Sequence, residues 1–142
     1  LGISEEVGEL CHAILKEYQR IIKEDFVAAK KDAIGDITVY FLDFLNRSQF
    51  ELPKVGTQTI ISINTLGNTM IETIDILYVT ASVFTTFKGD MDDLETLITG
   101  FILNLYNLCD FLGYDLIEIL DTTWNEVKKR DWIIYPKNGL TE

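Results

Sequence analysis

The chain has 142 residues, of which 47% are hydrophobic, so it is long enough for a single globular domain with a substantial core. Its formal net charge of -11 argues against general binding to nucleic acid, which depends on patches of Lys and Arg. The most apolar stretches, 33–45 and 97–112, are too short or too polar to span a bilayer, so we expect a cytoplasmic protein with no membrane partner.

Apolar residues recur with helical spacing in five segments, 3–22, 25–47, 68–87, 91–112 and 115–130. This pattern predicts an all-α bundle of about five helices. Asn68, Asp90 and Asp115 are the expected N-caps, and Gly113 is expected to end the fourth helix. The stretch 49–67, whose Thr- and Ile-rich part could be a strand, loop or connector, is left unassigned. Residues 131–142 are predicted to be a non-helical extension of the same domain.

The two cysteines, Cys11 and Cys109, both lie inside helical patterns and lack the spacing of a zinc site. We expect both to be reduced, buried thiols.

Acidic residues on the first helix lie beside its apolar side. On a helical wheel, seven residues form one apolar arc that is expected to face inward, namely Ile3, Val7, Leu10, Cys11, Ile14, Tyr18 and Ile21. Glu6 lies beside this arc, next to Leu10. Glu9 falls one step further round and Glu5 lies furthest from the arc. By this geometry, Glu6 and Glu9 reach into the bundle better than Glu5.

The second helix carries a line of aspartates although apolar residues cover most of its circumference. That composition predicts a helix buried nearly all round. Asp25, Asp32, Asp36 and Asp43 nevertheless fall on one narrow line, with Asp32 and Asp36 one turn apart.

Carboxylates held together in an apolar bundle repel one another, so they must take up protons or bind a cation. A set of oxygen ligands favours Mg²⁺, with Mn²⁺ as a second choice.

The simpler interpretation of these acids is a solvated helix face, which fits the first helix better than the second. A di-iron bundle is a rival because Glu9 and His12 form a Glu-x-x-His step, but His12 is the only histidine and falls on the polar side of its helix.

The sequence EEVGEL at 5–10, followed by KKDAIGDITVYFLDFL at 30–45, resembles the MazG-like branch of the all-α nucleotide pyrophosphatases. The signature of that family is Glu-Glu-x-x-Glu on one helix and Glu-x-x-Asp on the next. WNEVKKRDW at 124–132 and YPKNG at 135–139 are similar to the C-terminal segment of phage and bacterial MazG-like proteins. The middle of the chain, from 49 to about 100, matches only in being helical.

The resemblance implies which acids hold magnesium. Carried over by position, the ligands are Glu6, Glu9 and Asp36, and the remaining place falls on Ala33, which cannot bind a metal. Asp32 shares the face of Asp36, so we expect it to supply the missing carboxylate or to bind through water.

The resemblance also implies that late amide and basic residues bind the triphosphate and sugar. These are Asn125, Lys128 and Arg130, of which Lys128 is expected to border the apolar face of the fifth helix. Cations in a last helical turn also offset the helix dipole without any ligand. Trp132 could stack on a base or simply pack.

The implied activity is hydrolysis of a nucleoside triphosphate, by preference a deoxynucleotide, to the monophosphate and pyrophosphate. Glu5, Glu6 and Glu9 are the implied catalytic residues, with Glu5 a candidate to orient or deprotonate the attacking water. The resemblance further implies a homodimer or a dimer of dimers. The alternative is a non-catalytic helical module that binds nucleotides or proteins, which Ala33 keeps open.

Overall fold

The computed structural model describes residues 1–21, 25–49, 67–86 and 91–130. Within these ranges the chain contains no strand and forms five helices, which are α1 (Gly2–Tyr18), α2 (Phe26–Arg47), α3 (Met70–Thr86), α4 (Met91–Leu112) and α5 (Leu116–Val127). The predicted all-α fold is confirmed.

Helix α2 positions the acidic residues because it packs against α1 on one side and against α5 on the other. Helix α3 packs against α4 and α1, and α4 touches α5 only lightly. Apolar side chains from all five helices meet in one core, to which α5 contributes Leu116 and Ile119. Its fully buried members include Val7, Leu10, Ile34, Ile37, Leu77, Ile98, Phe101 and Leu108.

An aromatic cluster joins three of the helices. The ring centroid of Phe41 in α2 lies 4.8 Å from that of Phe101 in α4 and 5.8 Å from that of Phe84 in α3. Phe84 and Phe101 meet edge to face at 5.4 Å. Each aromatic pair of this kind stabilises a fold by about 0.5–1.5 kcal/mol beyond the effect of burying its apolar surface. The cluster therefore helps to hold α3 and α4 against α2.

Two aspartates cap the helices that carry the candidate site. Asp25 accepts hydrogen bonds at 3.1 Å from two N–H groups in the first turn of α2. Asp115 does the same for α5, at 2.8 and 3.1 Å, which confirms the predicted cap. Gly113 ends α4 with a φ of 70°. The next N–H, that of Tyr114, donates to the carbonyl oxygen of Cys109 at 2.9 Å, as in a Schellman motif.

The predicted Asn68 cap is wrong because the neighbouring threonine takes that role. The Glu72 N–H donates to Thr69 Oγ1 at 3.2 Å, and the Glu72 carboxylate accepts from the Asn68 N–H at 2.8 Å. This reciprocal pair is a variant of the capping box, and it starts α3 one residue later than predicted.

Helix α1 is shorter than its apolar pattern. It ends at Tyr18, and the chain turns through Arg20, whose φ is 58°. Tyr18 is 87% exposed and Ile21 is 38% exposed, so their assignment to the buried arc is wrong. An unbroken helical wheel cannot represent the turn that follows Tyr18.

Helix α2 is not buried all round, which corrects the prediction made from its composition. Asp25, Asp32 and Asp43 are exposed, and Tyr40 on the same helix is 45% exposed. Asp43 forms an ion pair with Arg47 at 2.7 Å. The line of aspartates therefore has a solvent-facing side in the single chain.

Both cysteines are free, with Cys109 buried as predicted and Cys11 only half-buried.

Among the described ranges no single helix is long and apolar enough to cross a membrane, and α4 with α5 meets that test only as a pair bent by 105°. The predicted Asp90 cap, Trp132, the extension 131–142 and most of the unassigned stretch 49–67 lie outside the described residues.

Candidate functional site

Four carboxylates from α1 and α2 lie near one another on one side of the bundle. Glu6 interacts electrostatically with Asp36, Glu9 and Asp32. Asp36 interacts in turn with Asp32 and Glu9. The extensive packing of α1 on α2 sets the acidic pair of one helix against that of the other. The structure thus places the four acids suggested by the sequence on one side of the bundle, and their role as metal ligands stays a prediction.

Glu6 responds most strongly to this arrangement. Burial raises the pKa of Glu6, and repulsion from Asp36, Glu9, Glu5 and Asp32 adds to the effect, so that the pKa reaches about 7. This carboxyl therefore holds a proton for much of the time at neutral pH.

Asp36 lies between these acids and a cation at the end of α5. Burial raises the pKa of Asp36, and Asp32 and Glu9 raise it further, whereas Arg130 lowers it. Asp36 is half-buried and Arg130 is exposed. Asp36 therefore connects the acidic face to the end of α5.

The acids differ in their exposure to solvent. Glu6 and Asp36 are half-buried, whereas Glu5, Glu9 and Asp32 are exposed. The prediction that Glu6 reaches into the bundle better than Glu5 is confirmed, but the same prediction for Glu9 is wrong. The buried side of α1 runs through Val7 and Leu10, whereas Glu9 lies on the exposed side of that helix.

Ala33 occupies the position that is acidic in the family resembled. It is only 3% exposed and belongs to the hydrophobic core, so a carboxylate there would be buried among apolar groups. Asp32 lies on the neighbouring face and shares a pocket with Asp36. This arrangement fits the expectation that Asp32 replaces the missing acid.

The acidic face fits a hard cation by its chemistry and its charge. All its donors are oxygens. The pKa of Glu6 is raised by burial and by repulsion from the neighbouring acids, and a cation would relieve that repulsion. In the described ranges, however, no three Asp, Glu, His or Cys side chains converge closely enough to hold one ion. The exposed carboxylates, Glu9 and Asp32, would have to rotate toward Glu6 and Asp36. His12 is exposed, as its place on the wheel suggested.

A pocket of about 360 Å³ lies beside this face, between α2 and α5. Helix α2 contributes Lys31, Asp32 and Asp36 to its walls. The opposite wall includes Thr123 and Glu126 of α5, and Arg130 just beyond that helix. Both walls of the pocket thus carry two carboxylates, which on the α5 wall are Glu118 and Glu126, and each wall has one cation.

Close contact between α2 and α5 determines the shape of this pocket. A β-carbon added at Gly35 would lie 2.9 Å from Thr123 Cβ and closer still to Thr123 Oγ1. Real β-carbons essentially never approach other atoms so closely, so the two helices can meet here only because residue 35 is glycine. This contact holds Asp36 against the helix that leads to Arg130.

The three late residues predicted to bind substrate do not lie together. Arg130 lines the pocket and acts on Asp36, whereas Lys128 and Asn125 are exposed and do not line it. Helix α5 ends at Val127 with Lys128 as its C-cap. A role in substrate binding stays a prediction for all three residues.

Lys31 and Thr123 are among the pocket residues that the sequence-based predictions did not include. Lys31 was not singled out because it stands in a pair with Lys30, and single-helix patterns do not separate them. Thr123 has no chemical signature of its own. The available signal was Gly35, because a glycine in the middle of an apolar helix often marks a close approach by another element.

An apolar groove runs along the other side of the α2–α5 contact. Its volume is about 680 Å³, and its lining includes Val39, Tyr40, Leu120, Trp124 and Val127. Trp124 is 53% exposed there.

Comparisons of the chain with models of protein families, with curated proteins and with solved structures find no match.

Proposed function

We propose that this chain is a magnesium-dependent nucleoside triphosphate pyrophosphohydrolase of the MazG-like kind. The observation that supports this proposal best is the grouping of Glu6, Glu9, Asp32 and Asp36, where burial and then the repulsion from neighbouring acids raise the pKa of Glu6 to about 7. Here two helices hold them together at a pocket edge.

In the proposed reaction, water attacks the α-phosphorus of the nucleotide, and the bond from that phosphorus to the bridging oxygen breaks. The products are the monophosphate, pyrophosphate and one proton. Glu6, Glu9, Asp36 and Asp32 would hold magnesium, which when bound neutralises phosphate charge and lowers the pKa of water. Glu5, exposed beside Glu6, is the candidate to orient or deprotonate the water.

The proposal includes a homodimer or a dimer of dimers. The groove containing Tyr40 and Trp124 is an apolar surface that a second subunit would cover. Light scattering coupled to size-exclusion chromatography should then give at least twice the 16.2 kDa mass of one chain. Replacement of Trp124 by Glu should shift the protein toward the monomer.

The test of the activity is pyrophosphate release from a panel of ribonucleoside and deoxyribonucleoside triphosphates, with Mg²⁺, with Mn²⁺ and with a chelator. We expect release from at least one nucleotide with the metals and none with the chelator. A folded protein that releases no pyrophosphate from any nucleotide would refute the enzyme.

A non-catalytic helical module is the second candidate function. It is favoured by the buried alanine at position 33 and by the exposure of Glu9 and Asp32. Among the described residues, no three acidic side chains lie close enough together to hold one metal ion. The two functions differ in one cheap observation. A module would bind a nucleotide or protein without turnover, so calorimetric binding of a nucleotide with no pyrophosphate release would favour it.

A further inference from the structure

We draw no further inference here: the strongest candidate, the exposed apolar face of α3 formed by Ile71, Tyr78 and Val79, carries none because nothing in the described residues shows what covers it.

Discussion

Thr123 of α5 lies directly against Gly35 of α2, with no room for a β-carbon between them. This contact joins the helix that carries Asp32 and Asp36 to the helix that leads to Arg130. Any residue larger than glycine at position 35 must push the two helices apart. The candidate pocket therefore depends on a residue that has no side chain.

Gly35→Ala should destabilise the protein although alanine is the better helix former. Overpacking against Thr123 costs about 1–3 kcal/mol, which exceeds the gain of about 1 kcal/mol or less from helix propensity. Urea unfolding measures the difference. Gly100→Ala is the matched control because a β-carbon there meets no atom within 4 Å, and it should stabilise α4 by about 0.5–1 kcal/mol. Equal effects at both positions would contradict the close contact.

The stability of the metal-free protein should fall as the pH rises from 5 to 8. The pKa of Glu6 is raised to about 7 from 4.5, so between these values the folded chain binds a proton that the unfolded chain has lost. The resulting stabilisation is complete below pH 4.5 and is lost as the pH passes 7. Asp36, whose pKa is also raised, acts in the same direction.

Thermal unfolding in a chelator measures this pH effect. Because Glu6 is only partly buried, solvent screening limits its contribution to about 1 kcal/mol, or roughly 3–5 °C in the midpoint. Glu6→Gln should flatten the pH profile, whereas Glu95→Gln on the exposed side of α4 should leave it unchanged. A wild-type midpoint that rises between pH 5 and 8 would contradict the raised pKa of Glu6.

The ion pair between Lys30 and Glu17 should contribute more than a surface pair does. Lys30 is 4% exposed, so Glu17→Gln leaves a buried ammonium without its counter-charge and should cost about 1–2 kcal/mol. Asp43→Asn breaks the exposed pair with Arg47 and should cost less than about 0.5 kcal/mol. Urea unfolding at pH 7 compares the two variants. If both lose the same stability, the burial of Lys30 has no energetic role.

Arg20→Gly should stabilise the end of α1. The φ of 58° at Arg20 is strained for a side chain and natural for glycine, so the substitution should gain about 0.5–1 kcal/mol. Because Arg20 is exposed, little packing is lost. The midpoint of thermal unfolding should rise, and a decrease would indicate that Arg20 contributes contacts that outweigh the strain.

The sequence predicted those features that depend on one helix at a time. Periodic apolar residues located all five helices, and Asp115 and Gly113 marked two of their ends because capping depends on local hydrogen bonds. Tyr18 was misplaced because the turn at Arg20 stops the helical wheel.

The sequence could not predict which helix faces stay open. Glu9 and Asp32 are exposed because no described helix covers them, and a helical wheel shows only which side is apolar. Lys31 and Thr123 entered the site through the packing of α2 on α5, which brings together residues far apart in the chain. The four acids could be predicted because the spacing of each pair lies within a single helix and can be read directly from the sequence.

Asp36 interacts with each of the other three acids of the group. The most direct test compares Mg²⁺-dependent pyrophosphate release by the wild-type protein with that of Asp36→Asn, Glu9→Gln and the control Glu95→Gln, each checked for an unchanged helical spectrum. We predict that Asp36→Asn and Glu9→Gln abolish release and that Glu95→Gln retains it. Undiminished release by a folded Asp36→Asn variant would contradict the proposed site.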